Sequence, residues 1–288
     1  MKNKININKK IVMFAIISIM FLSNLSIVSV ADDTGNIIYP IGEPVLINGE
    51  VSSSSNVILG FGSLPGGKSD PGLTIFDDHD SDSALINTDY IIEDENRICL
   101  AENRITSSYA HKIMDCRSGT ANSDAIAISS IDGQSNIIKI DVNFLGQQTA
   151  EAQICQESSG FATSIADGNL QIAISVPFLV DQEGILIIDV TQCVLSSGLY
   201  KKNDGVSILA SSETNVAGQT FSFESHFGIL KETKTQHVLP GVEYHVSMNL
   251  IVASSAYAEA SHESTLYDFK TANPNINLHI QIKYVPIH

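Results

Sequence analysis

Strict alternation of apolar and polar residues is the strongest constraint on the fold. Asn275–Tyr284, NINLHIQIKY, places an apolar side chain at every second position. The same alternation occurs in Gly241–Leu250, Ile138–Phe144 and Leu170–Val176. In an extended chain a period of two directs one set of side chains into a core and the other into water, whereas a helix would scatter them around a cylinder. The pattern predicts β-strands.

Turn signals separate these segments and predict an all-β protein. Asp-Gly sequences in Ile131–Gly133 and Ala166–Asn169 are typical of tight reversals. Many short strands joined by such turns are typical of a sandwich or a barrel, and of these we expect an antiparallel β-sandwich of the jelly-roll kind. Gly184–Val190 is almost continuously apolar, which predicts a central strand buried on both faces. Glu102–Met114 is the least clear region, and its pattern also fits one short helix.

The N-terminal segment predicts export. Residues 1–10 are basic, residues 11–22 are apolar, and Ser29-Val30-Ala31 fits the small-x-small cleavage pattern. Residues 1–31 therefore resemble a secretory signal peptide, with an uncleaved anchor as the alternative. No second long apolar run follows, so no membrane span is expected in the mature chain. We expect residues 32–288 to form a single β-sandwich domain with an irregular first third, located outside the cell or in the periplasm.

The charge balance narrows the classes of partner. The chain has 16 basic and 32 acidic residues, a net charge of −16, and loss of residues 1–31 would remove four of the lysines. Such a surface repels phosphate backbones, so nucleic acid is excluded as an expected partner. The expected partners are other envelope or matrix proteins, or polysaccharide.

Four cysteines suggest disulfides in an exported chain. Cys99, Cys116, Cys155 and Cys193 contain no CxxC motif and no zinc-like spacing with histidine. An even number of cysteines in an oxidising compartment favours two bridges, for which three pairings are open, with buried free thiols as the alternative. Neighbours in sequence close the shorter loops, so we expect Cys99 with Cys116 and Cys155 with Cys193.

An acidic stretch, Asp77–Ser83 with the sequence DDHDSDS, raises the question of a metal site. Counting Asp78 as position one, Asp80, Asp82 and Asp89 occupy positions three, five and twelve of a calcium loop. Position six is Ser83, where such loops have glycine, and position twelve is Asp rather than Glu. Two interpretations stay open: a weak calcium site made by Asp78, Asp80, Asp82 and Asp89, or a solvated turn.

No local motif points to catalysis. The sequence has no GxSxG, HExxH or GxGxxG pattern. We therefore assign no catalytic residue, although a secreted hydrolase whose site lacks a local signature is an alternative. A carbohydrate-binding module is a second alternative. The absence of Trp and an aromatic content of 7% count against it, because aromatic rings are the usual contacts for sugars.

The C-terminal region resembles a family of secreted bacterial proteins. Tyr244–Phe269 contains a Tyr-x-Val start, an alternating Ala and Ser run and a closing Asp-Phe, and Asn277–Ile282 follows as an amphipathic segment. This arrangement is similar to the C-terminal end of β-sandwich proteins of the exosortase-associated (PEP-CTERM) kind. Tyr284–His288 departs from them because it carries no sorting signal. The resemblance implies an exported envelope or matrix protein, so we expect a non-catalytic structural or adhesive role.

Overall fold

The computed structural model describes residues 35–61, 74–156, 160–196, 204–261 and 264–287. The predicted signal peptide, residues 1–31, lies outside the described residues. Every regular element in the described part of the chain is a strand. The strands are β1 (Ile37–Ile38), β2 (Pro44–Phe61), β3 (Thr74–Ile91), β4 (Arg97–Met114), β5 (Arg117–Gln134), β6 (Ile137–Ile154), β7 (Phe161–Val180), β8 (Gly184–Ser196), β9 (Val206–Val216), β10 (Gln219–Ser225), β11 (Gly228–Val238), β12 (Tyr244–Ser261), β13 (Tyr267–Ala272) and β14 (Pro274–Pro286).

Two antiparallel sheets pack face to face as a β-sandwich, which confirms the predicted fold class. Sheet 1 has the order β10-β9-β12-β7-β2-β3, with β1 continuing beside β7. Sheet 2 has the order β11-β8-β14-β6-β5-β4, with β13 continuing beside β6. Several strands have 18 residues, a length of about 60 Å at 3.3 Å per residue, so the sandwich is long in the strand direction.

The alternating segments form strands with one buried face, as predicted. In β14 the side chains of Ile276, Leu278, Ile280 and Ile282 are fully buried. Their neighbours in sequence are only partly buried. The same alternation of buried and accessible positions holds in β6, β7 and β12. A large aliphatic and aromatic cluster built from these faces fills one half of the sandwich.

The other half of the interior is rich in alanine. Ala256, Ala258 and Ala260 of β12 are fully buried and pack with alanines from five further strands. Small side chains on both facing surfaces let two sheets approach closely, as the alternating Ala and Ser run indicates. Between the two halves lies a buried polar belt, in which Gln148 is fully buried and Ser254 is almost so. Interior packing thus changes in character along the strands.

Two predicted turns are wrong, and the structure gives a spatial reason. Ile131–Gly133 lies inside β5 and Ala166–Asn169 lies inside β7. A Cβ atom on Gly133 would lie 2.1 Å from Tyr39 Oη, and one on Gly168 would lie 2.4 Å from Gln148 Nε2. Both glycines make room for a neighbouring side chain rather than for a reversal of the chain.

Three further local predictions need correction. Glu102–Met114, which also fitted a short helix, belongs to β4 and is paired with β5 along its length. The first third is not irregular, because β2, β3 and β4 each have 18 residues. Gly184–Val190 in β8 is not buried on both faces, since Ile185 is 37% exposed and alternate positions are only partly buried. The sequence Gly184–Val190 is almost continuously apolar because some of its outward-facing residues, such as Ile185, are apolar as well.

No helix long and apolar enough to cross a membrane occurs in the described ranges. Gly35–His288 cluster into one compact unit.

Candidate functional site

The acidic stretch lies on a strand and not in a turn. Asp77–Ser83 is the central part of β3, the edge strand of sheet 1, and pairs with Ser52–Ile58 of β2. Because Asp78, Asp80 and Asp82 are two residues apart, their side chains share one face of β3. Buried Ile86 belongs to the same alternate set, so the three carboxylates lie on the side of β3 that faces the sandwich.

These carboxylates accept hydrogen bonds from the backbone of β4, the edge strand of sheet 2. Three successive N–H groups of β4 that point away from its partner β5 bind acceptors in this way. In the middle of a sheet, a second neighbouring strand would supply these acceptors. We call these three contacts the aspartate seam. The bonds run from Ser107 N to Asp82 Oδ2 at 3.1 Å, from Tyr109 N to Asp80 Oδ2 at 2.9 Å, and from His111 N to Asp78 Oδ2 at 2.9 Å.

The structure does not bring the four predicted calcium ligands together. Asp89 lies seven residues beyond Asp82 on the same strand, a separation of about 23 Å. Asp89 also belongs to the opposite face of β3, since its position is odd and the other three are even. In the described part of the chain no group of three His, Cys, Asp or Glu side chains is arranged to hold a metal ion. The predicted loop is therefore corrected to a strand whose aspartates bind backbone amides.

The opposite side of the sandwich is also closed by side chains. There β10 is the edge of sheet 1 and β11 the edge of sheet 2. Gln219 Nε2 donates to Gln236 Oε1 at 2.7 Å, and Lys234 donates to the backbone oxygen of Thr220. Edge strands covered in this way offer few backbone groups to another chain.

Removing the aspartate seam is expected to expose the β4 edge. We expect the triple change Asp78→Ala, Asp80→Ala and Asp82→Ala to destabilise the fold by about 2 kcal/mol, less than 1 kcal/mol per exposed hydrogen bond. We also expect concentration-dependent association, because three β4 amides lose their acceptors. Urea unfolding and light scattering measure the two effects.

The matching control is the triple change to asparagine, which keeps an acceptor oxygen at each position and removes the charge. It is expected to stay monomeric and within about 0.5 kcal/mol of the parent protein. Equal association of the alanine and asparagine variants would show that charge, and not hydrogen bonding, protects this edge.

The predicted disulfides are not formed. The described residues include all four cysteines and contain no disulfide. Cys99 and Cys116 are near opposite ends of β4, about 55 Å apart. Cys193 is level with Asn143 of β6 across β14, twelve residues or about 40 Å from Cys155. A disulfide needs Cα atoms within about 7 Å, so both expected pairings are wrong.

A shallow groove crosses the outer face of sheet 1. Its volume is about 520 Å³, and it is open to solvent. Four neighbouring strands, β9, β12, β7 and β2, supply its lining. Seven of the eleven lining residues are polar, and none is lysine or arginine; the residues are Leu46, Asn48, Gln171, Ala173, Ile174, Ser175, Glu213, Asn215, Ser247, Met248 and Asn249.

The depression follows from the sizes of side chains that lie opposite each other in the sheet. Ala173 of β7 is paired with Asn48 on one side and with Asn249 on the other. Two residues further along β7, Ser175 is paired with Ser247 of β12. Small residues on the two central strands form the floor, and longer residues on the flanking strands form the walls. The alternation of strands thus places amides and hydroxyls on one accessible surface.

Several amides of the groove are available for a ligand. No hydrogen bond within the described ranges uses the side chains of Asn48, Gln171 or Asn249, all of which are exposed. Asn215 differs, because its side chain bonds to Thr220 and to the backbone of Gly218 in the β9–β10 turn. The groove therefore combines unengaged donors and acceptors with one ordered amide at its end.

The ionisable groups with the largest shifts are tyrosines. Burial, followed by the charge of Asp132, raises the pKa of Tyr39 well above its usual range. Burial and a hydrogen bond to Glu259 raise the pKa of Tyr257 to about 12. Neither hydroxyl loses its proton near neutral pH, so neither is suited to act as a general base there.

Contrary to the expectation that no local motif is present, Gly62–Ser69, GSLPGGKS, has the spacing of a phosphate-binding loop. It lies outside the described residues. The strands on either side, β2 and β3, are antiparallel partners. The phosphate-binding motif acts between a strand and a helix in a parallel α/β unit, so the flanking structure does not support that role.

The sequence matches no protein-family model and has no significant match among curated proteins.

Proposed function

We propose that this chain is an exported, non-catalytic adhesive protein of the cell envelope or extracellular matrix, and that it binds polysaccharide in the groove of sheet 1. The observation that carries the proposal is the set of unengaged amides on a concave, accessible sheet face. The resemblance of Tyr244–Phe269 to exported β-sandwich proteins supports the location.

The chemistry of the groove suits sugar hydroxyls. Each Asn or Gln amide offers two N–H donors and a carbonyl acceptor, and each serine hydroxyl can donate and accept. A sugar hydroxyl also donates and accepts, so adjacent hydroxyls can be bound by amides on neighbouring strands. Asn48 and Asn249 flank Ala173 from opposite sides, which leaves room for a ring above the small floor.

The charges near the groove favour a neutral polysaccharide. Glu213 is part of the lining. Glu50 and Asp89 lie on the same outer face, one strand position from the groove, because they pair with Gln171 and Leu46. With no basic residue in the lining and a net charge of −16, an anionic polymer would be repelled.

Exposed apolar side chains can support the C–H faces of a sugar. Leu46 is 37% exposed and lies in the lining, and Ile251 is 46% exposed on the row that contains Gln171. These aliphatic contacts are weaker than an aromatic platform would be. We therefore expect modest affinity at a single groove and firm attachment through several copies on one polymer.

Binding through a face agrees better with the structure than assembly through strand edges. Side chains cover parts of the β3–β4 edges and of the β10–β11 edges. A carbohydrate-binding module without a matrix role would use the same groove. Fractionation of cells separates the two, because an adhesive protein is expected to remain with the insoluble matrix until competing soluble glycan is added.

The double change Asn48→Ala and Asn249→Ala tests the groove. We expect the wild-type protein to bind at least one of cellulose, β-glucan, mannan or chitin, and not anionic alginate. The double variant is expected to bind about 30-fold more weakly, since each lost hydrogen bond contributes about 1 kcal/mol. Calorimetry with soluble oligosaccharides and pull-down on insoluble polymers measure the change.

Asn103→Ala is the matched control, since Asn103 is an exposed residue of β4 in sheet 2. It is expected to bind as the wild type does. Retention of full affinity by the double groove variant, or absence of binding to every neutral polymer, would contradict the proposal.

A further inference from the structure

We propose that Cys116 and Cys155 form a disulfide under oxidising conditions and join the open end of the β5–β6 hairpin. Cys116 lies in the two-residue turn before β5, and Cys155 immediately follows β6. The two residues are 39 positions apart in sequence, yet the antiparallel pairing brings them opposite each other.

The backbone geometry carries the proposal. The last paired residues of the hairpin are Arg117 and Ile154. One position further out, Cys155 N donates to Cys116 O at 3.0 Å. Residues that face each other through such a bond have Cα atoms about 5.5 Å apart, which is within the range that a disulfide requires.

Both cysteines are accessible to solvent. Arg117 is buried and Ile154 is 2% exposed, so both lie on the inner face. Cys116 precedes Arg117 in the turn and Cys155 follows Ile154, and both cysteines are exposed. An oxidant in solution can therefore reach them.

No other pair of cysteines satisfies the distance requirement. Cys99 and Cys193 belong to strands separated by four steps in sheet 2, at least about 19 Å. Each is also many residues along the strand direction from the Cys116–Cys155 end. Only one intramolecular bridge fits, so two thiols are expected to remain.

The oxidation is a thiol–disulfide exchange with a small disulfide such as oxidised glutathione. One cysteine thiolate attacks the glutathione disulfide, forms a mixed disulfide and releases one glutathione. The second thiolate displaces the remaining glutathione and closes the bridge. Two thiols are oxidised to one disulfide, one glutathione disulfide is reduced to two thiols, and the two cysteine protons pass to the released glutathiones.

The bridge would restrain the alanine-rich end of the sandwich. Gly119, two residues beyond Arg117, lies against Val57 of the alanine-rich cluster. A disulfide across the hairpin ends reduces the conformational entropy of the unfolded chain. In the chain-entropy model, the stabilisation from closing a loop of about 40 residues is large. For a domain of this size, we expect the midpoint of thermal unfolding to rise by about 5 to 10 °C.

The test uses the full purified protein after exposure to oxidised glutathione or to dithiothreitol. Thiol titration in denaturant is expected to fall from four groups to two on oxidation. Mass spectrometry of the unreduced digest is expected to show one linked peptide pair that contains Cys116 and Cys155. The oxidised protein should unfold at the higher temperature.

Cys116→Ser and Cys155→Ser should each abolish the temperature shift, whereas Cys99→Ser and Cys193→Ser should retain it. Peptide mapping of the wild type decides the matter even if a variant folds poorly. Four reactive thiols after oxidation, or a bridge between any other cysteines, would overturn the proposal. The groove lies on the other sheet, so failure of sugar binding and failure of bridge formation are separate results.

Discussion

Ala258→Leu is expected to lower the free energy of unfolding by about 3 kcal/mol. Ala258 is fully buried in the alanine-rich cluster, where alanines of β12 face alanines of β6 and β13. Three additional heavy atoms have no space between sheets that are held close by small side chains, so the backbone or neighbouring residues must move. Urea unfolding monitored by circular dichroism measures the change.

Ala253→Leu is the matched control, because Ala253 belongs to the same strand and is exposed on the opposite face. The same substitution there is expected to change stability by less than about 0.5 kcal/mol. If both variants unfolded at the same urea concentration, close packing of the alanine-rich half would be refuted.

Gln148→Ala is expected to destabilise the protein by about 3 kcal/mol. The Gln148 amide is fully buried and connects the two sheets. Its Nε2 group donates to Asp124 O at 3.1 Å, and its Oε1 atom accepts from Ser254 Oγ at 2.9 Å. Removal leaves a cavity and a buried carbonyl with one partner fewer.

Gly168→Ala tests the close approach of the Gln148 side chain to Gly168. A Cβ atom at Gly168 would lie 2.4 Å from Gln148 Nε2, so this change alone is also expected to destabilise the fold. In the Gln148→Ala background the obstruction is absent, and the two effects should be less than additive by about 1 kcal/mol or more. Strict additivity would show that the two residues do not compete for the same space.

Gln171→Ala is the control for the Gln148 change. Gln171 is an exposed glutamine of β7 whose side chain makes no hydrogen bond in the described ranges. We expect its loss to have little effect on stability. An equal loss of stability in both variants would contradict a special role for the buried belt.

Period-two patterns predicted the sandwich because burial of one strand face is a local property of the sequence. The alternating residues of β6, β7, β12 and β14 each identify their inner face without reference to the partner strand. The wrong turns had a different origin. Gly133 and Gly168 are required by Tyr39 and Gln148, which are distant in sequence, so composition alone suggested a reversal.

The acidic stretch shows why spacing alone misled the metal prediction. Alternate aspartates fit both a curled calcium loop and an extended edge strand. Which of the two forms depends on β4, because its backbone N–H groups come within hydrogen-bonding distance of the carboxylates only in the folded protein. The groove had no local signal either, because Asn48, Gln171 and Asn249 become neighbours through pairing of strands from both ends of the chain.

The position of β14 has a consequence for biosynthesis. This strand is inserted between β6 and β8, so the middle of sheet 2 is missing until the C-terminal part of the chain has been made. A nascent polypeptide that lacks β14 exposes two long apolar surfaces and cannot close its interior. Stable tertiary structure is therefore expected only after Pro274–Pro286 has been synthesised and has paired with both neighbouring strands.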